Sequence, residues 1–477
     1  MEPSKLAWDR QPNDRQWKVP EGDDPRTLYQ MLMTSVDRFG DLPCFGYIPG
    51  KDMPRVHLDY NTFGSLATAV GRQLAAVGVT AGDRVALILN NSVEWAALAY
   101  GANGIGAAYT AMYTHQHGQE WAFILNDSTP SLLAVADTEV LDKLVANMPA
   151  DAASWPSSGI LLLGEEEANE LPPEGVTVHM WKDFVAAGRE AEDFEIADDP
   201  FALNTLIYTS GTTGEPKGVV RPSGGHMTSL IWTMKNLYGV SQDDVFWAAS
   251  DVGWVVGHSY ICYAPLLNGN TTVLFEGKPV GTPDAGTFWR VISEHSVSCL
   301  FTAPTAFRAI KREDPDGSFI KQYNMTSLKS LFLAGERADP DTIIWAQEKL
   351  QVPVIDHWWQ TETGFGMVGN PIGIEKLPIK IGSPTVPLPG YEIDILDGEG
   401  KILGPNQLGS IAVKLPLPPG ALPTLWNADD RFLKSYLSTF PGYYETGDAG
   451  LIDEDGYIFI MARTDDVINI AGHRLST

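Results

Sequence analysis

Residues 208–220 read Tyr208-Thr209-Ser210-Gly211-Thr212-Thr213-Gly214-Glu215-Pro216-Lys217-Gly218-Val219-Val220. An apolar, strand-like run precedes them, and hydroxyls and glycines then alternate until Lys217 is reached. Glycine lets backbone N–H groups crowd around an anion, hydroxyls add donors, and a lysine supplies a point charge. The stretch therefore predicts a strand that ends in a polyphosphate-binding loop. It is not a Walker A loop, because the spacing to Gly-Lys-Ser/Thr is missing.

The chain on both sides of this loop alternates between short apolar strands and helices. We predict strands at 83–89, 132–135, 159–163, 271–275, 297–301, 330–334 and 353–356, and helices at 27–39, 92–102, 286–295 and 340–350. Such alternation predicts mostly parallel sheets covered by helices, arranged as two stacked α/β subdomains. The stretch at about 164–200 is polar and acidic, and we expect it to be a surface excursion.

The pattern changes after about residue 375, where the helices are expected to stop. Short alternating strands with Gly and Pro turns follow, at 391–395, 409–413 and 456–460. This composition predicts a small β-barrel or sandwich. The predicted fold class is therefore α/β, with two stacked α/β subdomains plus a small β-barrel.

Bulk properties exclude several classes of protein. The chain of 477 residues carries a formal net charge of -27, which repels nucleic acid and anionic membrane surfaces. No segment reaches the roughly 18 uninterrupted apolar residues of a membrane span, and the N-terminus lacks the pattern of a secretion signal. Cys44, Cys262 and Cys299 form no CxxC pair, so neither a disulfide framework nor a zinc site is indicated. We expect a cytoplasmic protein, or one of an organelle matrix.

The loop resembles the phosphate-binding signature of the acyl-adenylate-forming superfamily, which contains acyl-CoA synthetases, luciferases and peptide-synthetase adenylation domains. Later stretches match in the same order: 358–364 resembles the adenine and metal motif, 444–448 the ribose motif, 463–469 the hinge and 472–474 the arginine after the hinge. The resemblance implies the large N-terminal domain of such an enzyme. The predicted domains are 1–200 and 201–375 for the two α/β subdomains, 376–462 for the β-barrel, and 463–477 for the hinge and the stub of a C-terminal domain.

The resemblance also implies ATP, Mg²⁺ and coenzyme A, together with residues that hold them. ATP or AMP is expected to contact Thr209, Ser210, Gly211, Thr212, Thr213, Gly214, Lys217, Gly335, Glu336, Arg337, Asp356, His357, Trp358, Gln360, Thr361, Asp448, Arg463 and Arg474. The implied catalytic residues are Thr209, Lys217, Glu362 and Arg474, with Thr209 and Glu362 on the metal, Gly472 on CoA and Asp465 in the hinge. Asp448 is expected at the end of an aromatic-rich loop, where one carboxylate can accept hydrogen bonds from both ribose hydroxyls. The metal role of Glu362 and Thr209 is chemically sensible, because Mg²⁺ prefers few hard oxygen ligands besides phosphate.

Further stretches, at 251–260, 275–279, 302–305, 335–337 and 356–359, resemble the acetyl- and propionyl-CoA synthetase branch. The first 200 residues look more like the medium- and long-chain branch. By the resemblance, Trp254, Val255, Val256, Ala334, Trp359 and Gly364 line the acyl pocket. Trp359 leaves little room for a chain, whereas Ala334 stands where acetate-specific members have a valine. Because one methylene is worth only about 1–3 kcal/mol, we expect propionate first and acetate, butyrate or isobutyrate behind it.

The implied reaction joins a small carboxylic acid to AMP with release of pyrophosphate, and a thiol, that of CoA, then attacks the acyl-AMP. The sequence given stops at Thr477 and contains no Pro-Lys-Thr-x-Ser-Gly-Lys string, so we expect the C-terminal lid domain to be absent from it and adenylation to be slow. Three alternatives stay open: a medium-chain acyl-CoA ligase, an adenylating enzyme that serves a carrier-protein thiol, and a non-catalytic nucleotide-binding module.

Overall fold

The computed structural model describes residues 24–47, 55–164, 170–209 and 215–463, together with the backbone of 467–470 and 473–476. The chain divides into two compact units, one of Met1–Ile231 with Ser250–Glu276 and the other of Trp232–Ala249 with Gly277–Thr477. The four-part division expected from the sequence stays a prediction. Within the described residues, no helix is long and apolar enough to cross a membrane.

The helices, numbered in chain order, are α1 (Leu28–Phe39), α2 (Tyr60–Ala76), α3 (Val93–Gly104), α4 (Gly118–Ser128), α5 (Thr138–Val145), α6 (Trp181–Glu190), α7 (Ser223–Asn236), α8 (Ala264–Asn268), α9 (Thr287–His295), α10 (Pro304–Glu313), α11 (Pro340–Leu350) and α12 (Asp429–Phe432). Two 3₁₀ turns lie at Ala152–Ser154 and Ile320–Gln322, and two π-helical turns at Gly257–Tyr263 and Leu433–Leu437.

The strands are β1 (Pro43–Tyr47), β2 (Val56–Asp59), β3 (Arg84–Ile88), β4 (Ala108–Met112), β5 (Leu132–Val135), β6 (Ile160–Leu162), β7 (Val178–Met180), β8 (Leu203–Thr209), β9 (Lys217–Pro222), β10 (Val245–Ala248), β11 (Thr271–Leu274), β12 (Val297–Thr302), β13 (Ser330–Leu333), β14 (Val354–Asp356), β15 (Val368–Gly369), β16 (Val386–Pro387), β17 (Ile393–Leu396), β18 (Gly409–Lys414), β19 (Tyr443–Ile452), β20 (Ile458–Arg463), β21 (Val467–Ile470) and β22 (His473–Ser476).

The main sheet of the first unit has the strand order β7-β6-β5-β3-β4-β8-β9. All its neighbours are parallel except β9, which returns antiparallel to β8. Strands β5 and β6 are buried at every position, as expected of parallel strands covered on both faces. Helix α3 begins after Ser92, whose side chain accepts a hydrogen bond from the Trp95 N–H, and every residue of the helix but Glu94 is buried. The strands and the helix predicted here are confirmed.

The prediction of a surface excursion at about 164–200 is wrong. Strand β7 pairs in parallel with β6 at the edge of the main sheet, and α6 follows it directly. The buried residues of α6 are Trp181, Phe184, Val185 and Gly188, which recur at the spacing of one helical face. The exposed residues of α6 are Lys182, Asp183, Ala186, Ala187 and Glu190, and the charged ones among them keep the average composition of the segment polar.

Three strands of the first unit, β1, β2 and β11, lie outside its main sheet and pair with one another. Strand β1 pairs in parallel with β11 and antiparallel with β2. Helix α1 begins after Thr27, whose side chain accepts a hydrogen bond from the Gln30 N–H, as predicted for the helix at 27–39.

The second unit contains a parallel array with the order β14-β13-β12-β10. Strand β12 is buried at all six positions, and helices α9 and α11 occupy the predicted segments. Helix α11 has Pro340 in its first turn and Asp339 as its N-cap, which accepts from the Thr342 N–H. The carboxyl ends of these parallel strands carry residues 249, 302–303, 334–337 and 356–360.

The β-rich part of the second unit is a four-stranded antiparallel sheet with the order β17-β18-β19-β20. Two expectations need correction here. The helices do not stop after 375, because α12 and the π-helical turn Leu433–Leu437 interrupt the β-rich region. Asp448, expected in a loop, lies within the ten-residue strand β19 and is the Cα partner of Arg463 on β20.

Candidate nucleotide-binding and acyl-binding site

The predicted phosphate loop connects the two strands of a hairpin in the first unit. Thr209, the last residue of β8, is the Cα partner of Lys217, the first residue of β9. Ser210, Gly211, Thr212, Thr213 and Gly214 lie outside the described residues. Because β8 runs parallel to β4, Thr209 stands at the carboxyl edge of the sheet, where α/β proteins bind ligands.

The hydroxyl of Thr209 has the environment that a ligand oxygen or a cation needs. Its Oγ1 atom is buried, and it has no hydrogen-bond partner among the described residues. Buried hydroxyls are normally satisfied, so such an atom at a sheet edge fits a phosphate or a metal. The structure adds a residue that the sequence did not single out, since the Tyr208 hydroxyl donates a 2.6 Å hydrogen bond to Asp127 Oδ2 and ties β8 to α4.

In the second unit, the segment after β13 is exposed at the edge of the parallel array. Gly335 has a φ of 103°, which a glycine adopts without strain, and a Cβ there would have no atom within 4 Å. Glu336 forms an ion pair with Arg308, and Arg337 is exposed. The segment leaves room for a ligand, so the predicted nucleotide contacts of residues 335–337 are sterically feasible.

Asp356, the last residue of β14, is partly buried, and His357, which follows it, is fully buried. Burial raises the pKa of Asp356 to about 7 and lowers that of His357 to about 4. His357 Nδ1 lies 2.8 Å from the Leu333 carbonyl oxygen, and its Nε2 lies 3.0 Å from the Tyr238 hydroxyl. Both ring nitrogens of His357 thus contact buried groups of the protein. Contact of this residue with a nucleotide stays a prediction.

The predicted adenine and ribose motifs meet in the second unit. Gln360 Nε2 donates to Asp448 Oδ2 at 2.7 Å and to the Thr446 carbonyl oxygen at 2.6 Å. The Tyr444 hydroxyl donates to Gln360 Oε1 at 3.0 Å. Gln360 and Asp448 are 88 positions apart in sequence. Their contact therefore requires the strand pairing that brings β19 to the turn after β14.

Arg463 joins the same group. Its guanidinium nitrogen lies 3.7 Å from Asp448 Oδ1, and Asp448 is itself buried. Gly447, next to Asp448, has a φ of 71°, and a Cβ there would lie 2.9 Å from the Arg463 guanidinium. The positive φ favours glycine at 447, since a side chain there would be strained, and the absence of a Cβ leaves room for the Arg463 guanidinium. Gln360, Asp448 and Arg463 form what we call the ribose-side cluster.

Glu362, the predicted metal ligand, is held by a residue that the sequence did not indicate. The Tyr436 hydroxyl donates a 2.6 Å hydrogen bond to Glu362 Oε1. The Tyr436 ring stacks on that of Tyr444, with centroids 5.2 Å apart and planes at 10°. No motif pointed to Tyr436, because it lies 74 positions from Glu362 on a π-helical turn.

Mg²⁺ suits the residues expected to hold it. Among the described residues there is no group of three or more His, Cys, Asp or Glu side chains that could form a closed metal cage. Mg²⁺ is usually bound by one or two protein oxygens together with substrate phosphates. The Glu362 carboxylate of the second unit is a hard oxygen donor of that kind. A role for Thr209 on the same metal stays a prediction.

The residues expected to line the acyl pocket fall in both units. In the first, Val255 is buried, whereas Trp254 is 51% exposed and lies beside Tyr113 at a centroid distance of 6.2 Å. Val256, half-buried, is the residue before the π-helical turn Gly257–Tyr263.

In the second unit, Ala334 is buried at the end of β13, and Gly364 is buried with a φ of 75°. The Trp359 ring lies 6.4 Å from that of Phe301. The pocket as a whole stays a prediction.

Three further residues of the predicted site lie at the C-terminal end. Asp465 and Gly472 lie outside the described residues, as does the side chain of Arg474. The backbone of Arg474 belongs to β22 and pairs with Asn469 of β21.

Comparison with known proteins identifies the class. Residues 32–418 match the AMP-binding enzyme family, and the chain therefore belongs to that family. It is 44% identical over 411 residues to uncharacterized protein PA3568 of Pseudomonas aeruginosa, covering 85% of this chain and 65% of that protein. It is 57% identical over 273 residues to mouse acyl-CoA synthetase short-chain family member 3, mitochondrial, covering 57% of this chain and 40% of the relative. With propionate–CoA ligase of Escherichia coli it shares 38% identity over 421 residues, covering 86% and 66%.

The chain thus spans 40% to 66% of the length of these curated relatives. Two solved structures share its fold. The anthranilate CoA ligase AuaEII, in complex with anthranoyl-AMP, superposes with a TM-score of 0.80 at 23% identity, covering 96% of this chain and 82% of that one. An acyl-CoA synthetase of Brucella canis gives a TM-score of 0.74 at 28% identity, covering 94% and 77%. The predicted fold class, that of an adenylate-forming enzyme, is confirmed.

Proposed function

We propose that the chain is the nucleotide- and acid-binding part of an AMP-forming short-chain acyl-CoA synthetase, with propionate as its preferred acid. The observation that carries this proposal is the meeting of Gln360, Asp448 and Arg463 beside Glu362, at the carboxyl edge of a parallel sheet. The names of the relatives support the same class, since they include a short-chain acyl-CoA synthetase and a propionate–CoA ligase.

The ribose-side cluster is suited to hold the sugar of ATP. Each oxygen of the Asp448 carboxylate can accept more than one hydrogen bond, so two ribose hydroxyls can be added to the contact from Gln360. Arg463 offsets negative charge in a protein whose net charge is -27. Lys217 and Thr209, at the base of the phosphate hairpin, are suited to the triphosphate.

Catalysis in this scheme consists of alignment and charge neutralisation, and no side chain acts as a nucleophile. The acid's carboxylate oxygen attacks the α-phosphorus of ATP, the bond from that phosphorus to the bridging oxygen breaks, and pyrophosphate leaves. The CoA thiol then attacks the acyl carbon and releases AMP. When bound, Mg²⁺ would supply charge neutralisation on the phosphates, and in the second unit the Glu362 carboxylate is suited to hold it.

The preference for a short acid is supported by two side chains of the second unit. The indole of Trp359 would close the pocket, and the small Ala334 would leave space for about one more carbon than a valine would. The place of the protein in the cytoplasm or an organelle matrix stays a prediction.

Pyrophosphate release with acids of two to eight carbons, measured with and without CoA, tests the proposal. We expect the highest kcat/KM with propionate and multiple turnovers only when CoA is present. If Glu362→Gln abolishes pyrophosphate release, the activity depends on this site. Stimulation by a carrier protein and not by CoA would contradict the CoA assignment, and a preference for octanoate would contradict the short-chain assignment. Tight ATP binding without exchange of labelled pyrophosphate would indicate a non-catalytic nucleotide-binding module.

A further inference from the structure

Two tyrosines of the second unit are stacked against each other beneath the segment 360–362. Tyr436 belongs to the π-helical turn Leu433–Leu437, and Tyr444 belongs to β19. Their rings are nearly parallel, at 10°, with centroids 5.2 Å apart, and both side chains are buried. They come from different elements and reach different residues, so the stack links two parts of the site.

Each tyrosine donates a hydrogen bond to the same short segment. The Tyr444 hydroxyl donates to Gln360 Oε1 at 3.0 Å, and the Tyr436 hydroxyl donates to Glu362 Oε1 at 2.6 Å. Gln360 in turn donates to Asp448 Oδ2 at 2.7 Å. One tyrosine therefore orients the ribose-side cluster, and its stacked neighbour orients the carboxylate expected to hold the metal.

We propose that Tyr436 is a positioning residue for the Glu362 carboxylate, whereas its stacked neighbour Tyr444 orients Gln360 of the ribose-side cluster. The inference rests on the proposed function, in which Glu362 holds Mg²⁺ and Asp448 holds the ribose. It adds a residue outside the sequence motifs.

The chemistry of the contact suits this role. A hydroxyl that donates to a carboxylate at 2.6 Å is a charge-assisted hydrogen bond, which is about twice as strong as a neutral one. Groups that orient a metal-binding side chain typically change metal affinity about 10- to 100-fold when removed.

The backbone supplies an independent observation. A π-helical turn is rare, and such turns occur frequently at functional sites. The turn Leu433–Leu437 follows directly on α12, which ends at Phe432, and Tyr436 is its buried member. From this turn the Tyr436 ring reaches Tyr444 and its hydroxyl reaches Glu362.

The variant Tyr436→Phe keeps the ring and the stack but removes the hydroxyl. Mn²⁺ binding to the full 477-residue chain saturated with α,β-methylene-ATP, which cannot release pyrophosphate, is measured by electron paramagnetic resonance. We expect the Kd for Mn²⁺ to rise about 10-fold. The Kd for α,β-methylene-ATP without metal should change less than about 2-fold, because the ribose-side cluster keeps the charged hydrogen bond from Gln360 to Asp448.

The matched control is Tyr444→Phe, which removes the other hydroxyl of the same stack. We expect the opposite pattern, with weaker metal-free nucleotide binding, reduced discrimination against the 2′-deoxy nucleotide and little change in the intrinsic Kd for Mn²⁺. In a Glu362→Gln background, Tyr436→Phe should cause no further loss of Mn²⁺ affinity, because its effect passes through Glu362. This second comparison stays informative if Tyr436→Phe lowers the melting temperature.

Three results would overturn the inference. Tyr436→Phe could bind Mn²⁺ as tightly as the wild type, or could lose metal-free nucleotide affinity as Tyr444→Phe does. It could also lower Mn²⁺ affinity further in the Glu362→Gln background, which would show that it acts by another route. A wild-type chain that binds neither α,β-methylene-ATP nor Mn²⁺ would overturn the proposed function as well, and that result is distinguishable from the other three.

Discussion

The close packing of α6 on α2 makes a quantitative prediction for Gly188. A Cβ at this position would lie 2.1 Å from the carbonyl oxygen of Ala69 and 2.9 Å from its carbonyl carbon. An ordinary carbon–oxygen contact is about 3.3 Å, so Gly188→Ala must move α6 away from α2 by about 1 Å. The obstacle is backbone, which cannot rotate aside as a side chain can.

The size of the effect follows from two opposing terms. Overpacking a well-packed interface costs about 1–3 kcal/mol, and the upper end applies because the helix must shift with the buried side chains of Trp181, Phe184 and Val185. Replacing a helical glycine with alanine stabilises the helix by about 1 kcal/mol, because alanine has the higher helix propensity. We expect a net loss of about 2 kcal/mol in the free energy of unfolding, and a larger loss for Gly188→Leu.

The assay combines thermal unfolding with hydrogen exchange followed by mass spectrometry. A loss of this size should lower the first unfolding transition by about 4–8 °C and speed the exchange of amides in α6 and α2. The control is Ala187→Leu, on the exposed face of the same helix, which should stay within about 0.5 kcal/mol of the wild type. A Gly188→Ala chain as stable as the wild type, or more stable, would refute the close approach of the two helices.

Three further predictions concern the second unit. Asp448→Asn should weaken ATP binding about 10- to 100-fold by calorimetry, since hydrogen bonds to a charged group are worth about 1.5–3 kcal/mol; the exposed Asp455→Asn is the control, and an equal loss in both would contradict the ribose assignment. Ala334→Val should shift the kcat/KM ratio from propionate toward acetate by about 10-fold or more; an unchanged ratio would remove Ala334 from the pocket. Burial raises the pKa of Asp356 from 3.8 to about 7. Between pH 3.8 and pH 7 the folded chain therefore keeps the proton on Asp356, whereas the unfolded chain loses it. Stability should therefore fall as pH rises through that window, by up to about 4 kcal/mol, and Asp356→Asn should gain melting temperature relative to the wild type at pH 8 but not at pH 4; a parallel pH profile for the two chains would contradict the raised pKa.

The elements that the sequence predicts well are those whose signal is local. Helix α11 occupies the predicted 340–350 because Asp339, Pro340 and a periodic apolar face all mark it. Strands such as β5 are equally clear, since a short apolar run bounded by turn residues has few other interpretations. Helix α6 was missed because its apolar stripe is narrow and lies within an acidic stretch, where average composition hides a period of 3.6.

The candidate site was predictable to the extent that family motifs carry it. Gln360, Asp448 and Arg463 lie in three motifs far apart in sequence, and the structure brings them within reach of one another. Tyr436 could not have been predicted in the same way, because its role depends on a π-helical turn and on a partner 74 positions away. The strand position of Asp448 was also missed, since Gly447 gives the segment the local signature of a turn.

The hydrogen bonds around Asp448 orient its side chain before a nucleotide binds, so binding need not lose much side-chain entropy. Asp448 Oδ2 accepts from Gln360, and Gln360 accepts from Tyr444, so the carboxylate is oriented by contacts within the protein. Binding then fixes the ligand but little of the protein, and the entropy of ordering these side chains is part of folding. Since each carboxylate oxygen can take a further donor, ribose hydroxyls can be added without breaking those contacts. The same reasoning applies to Glu362, which Tyr436 holds in place. Loss of the Tyr436 hydroxyl should therefore change metal affinity through Glu362, which loss of a merely structural tyrosine would not do.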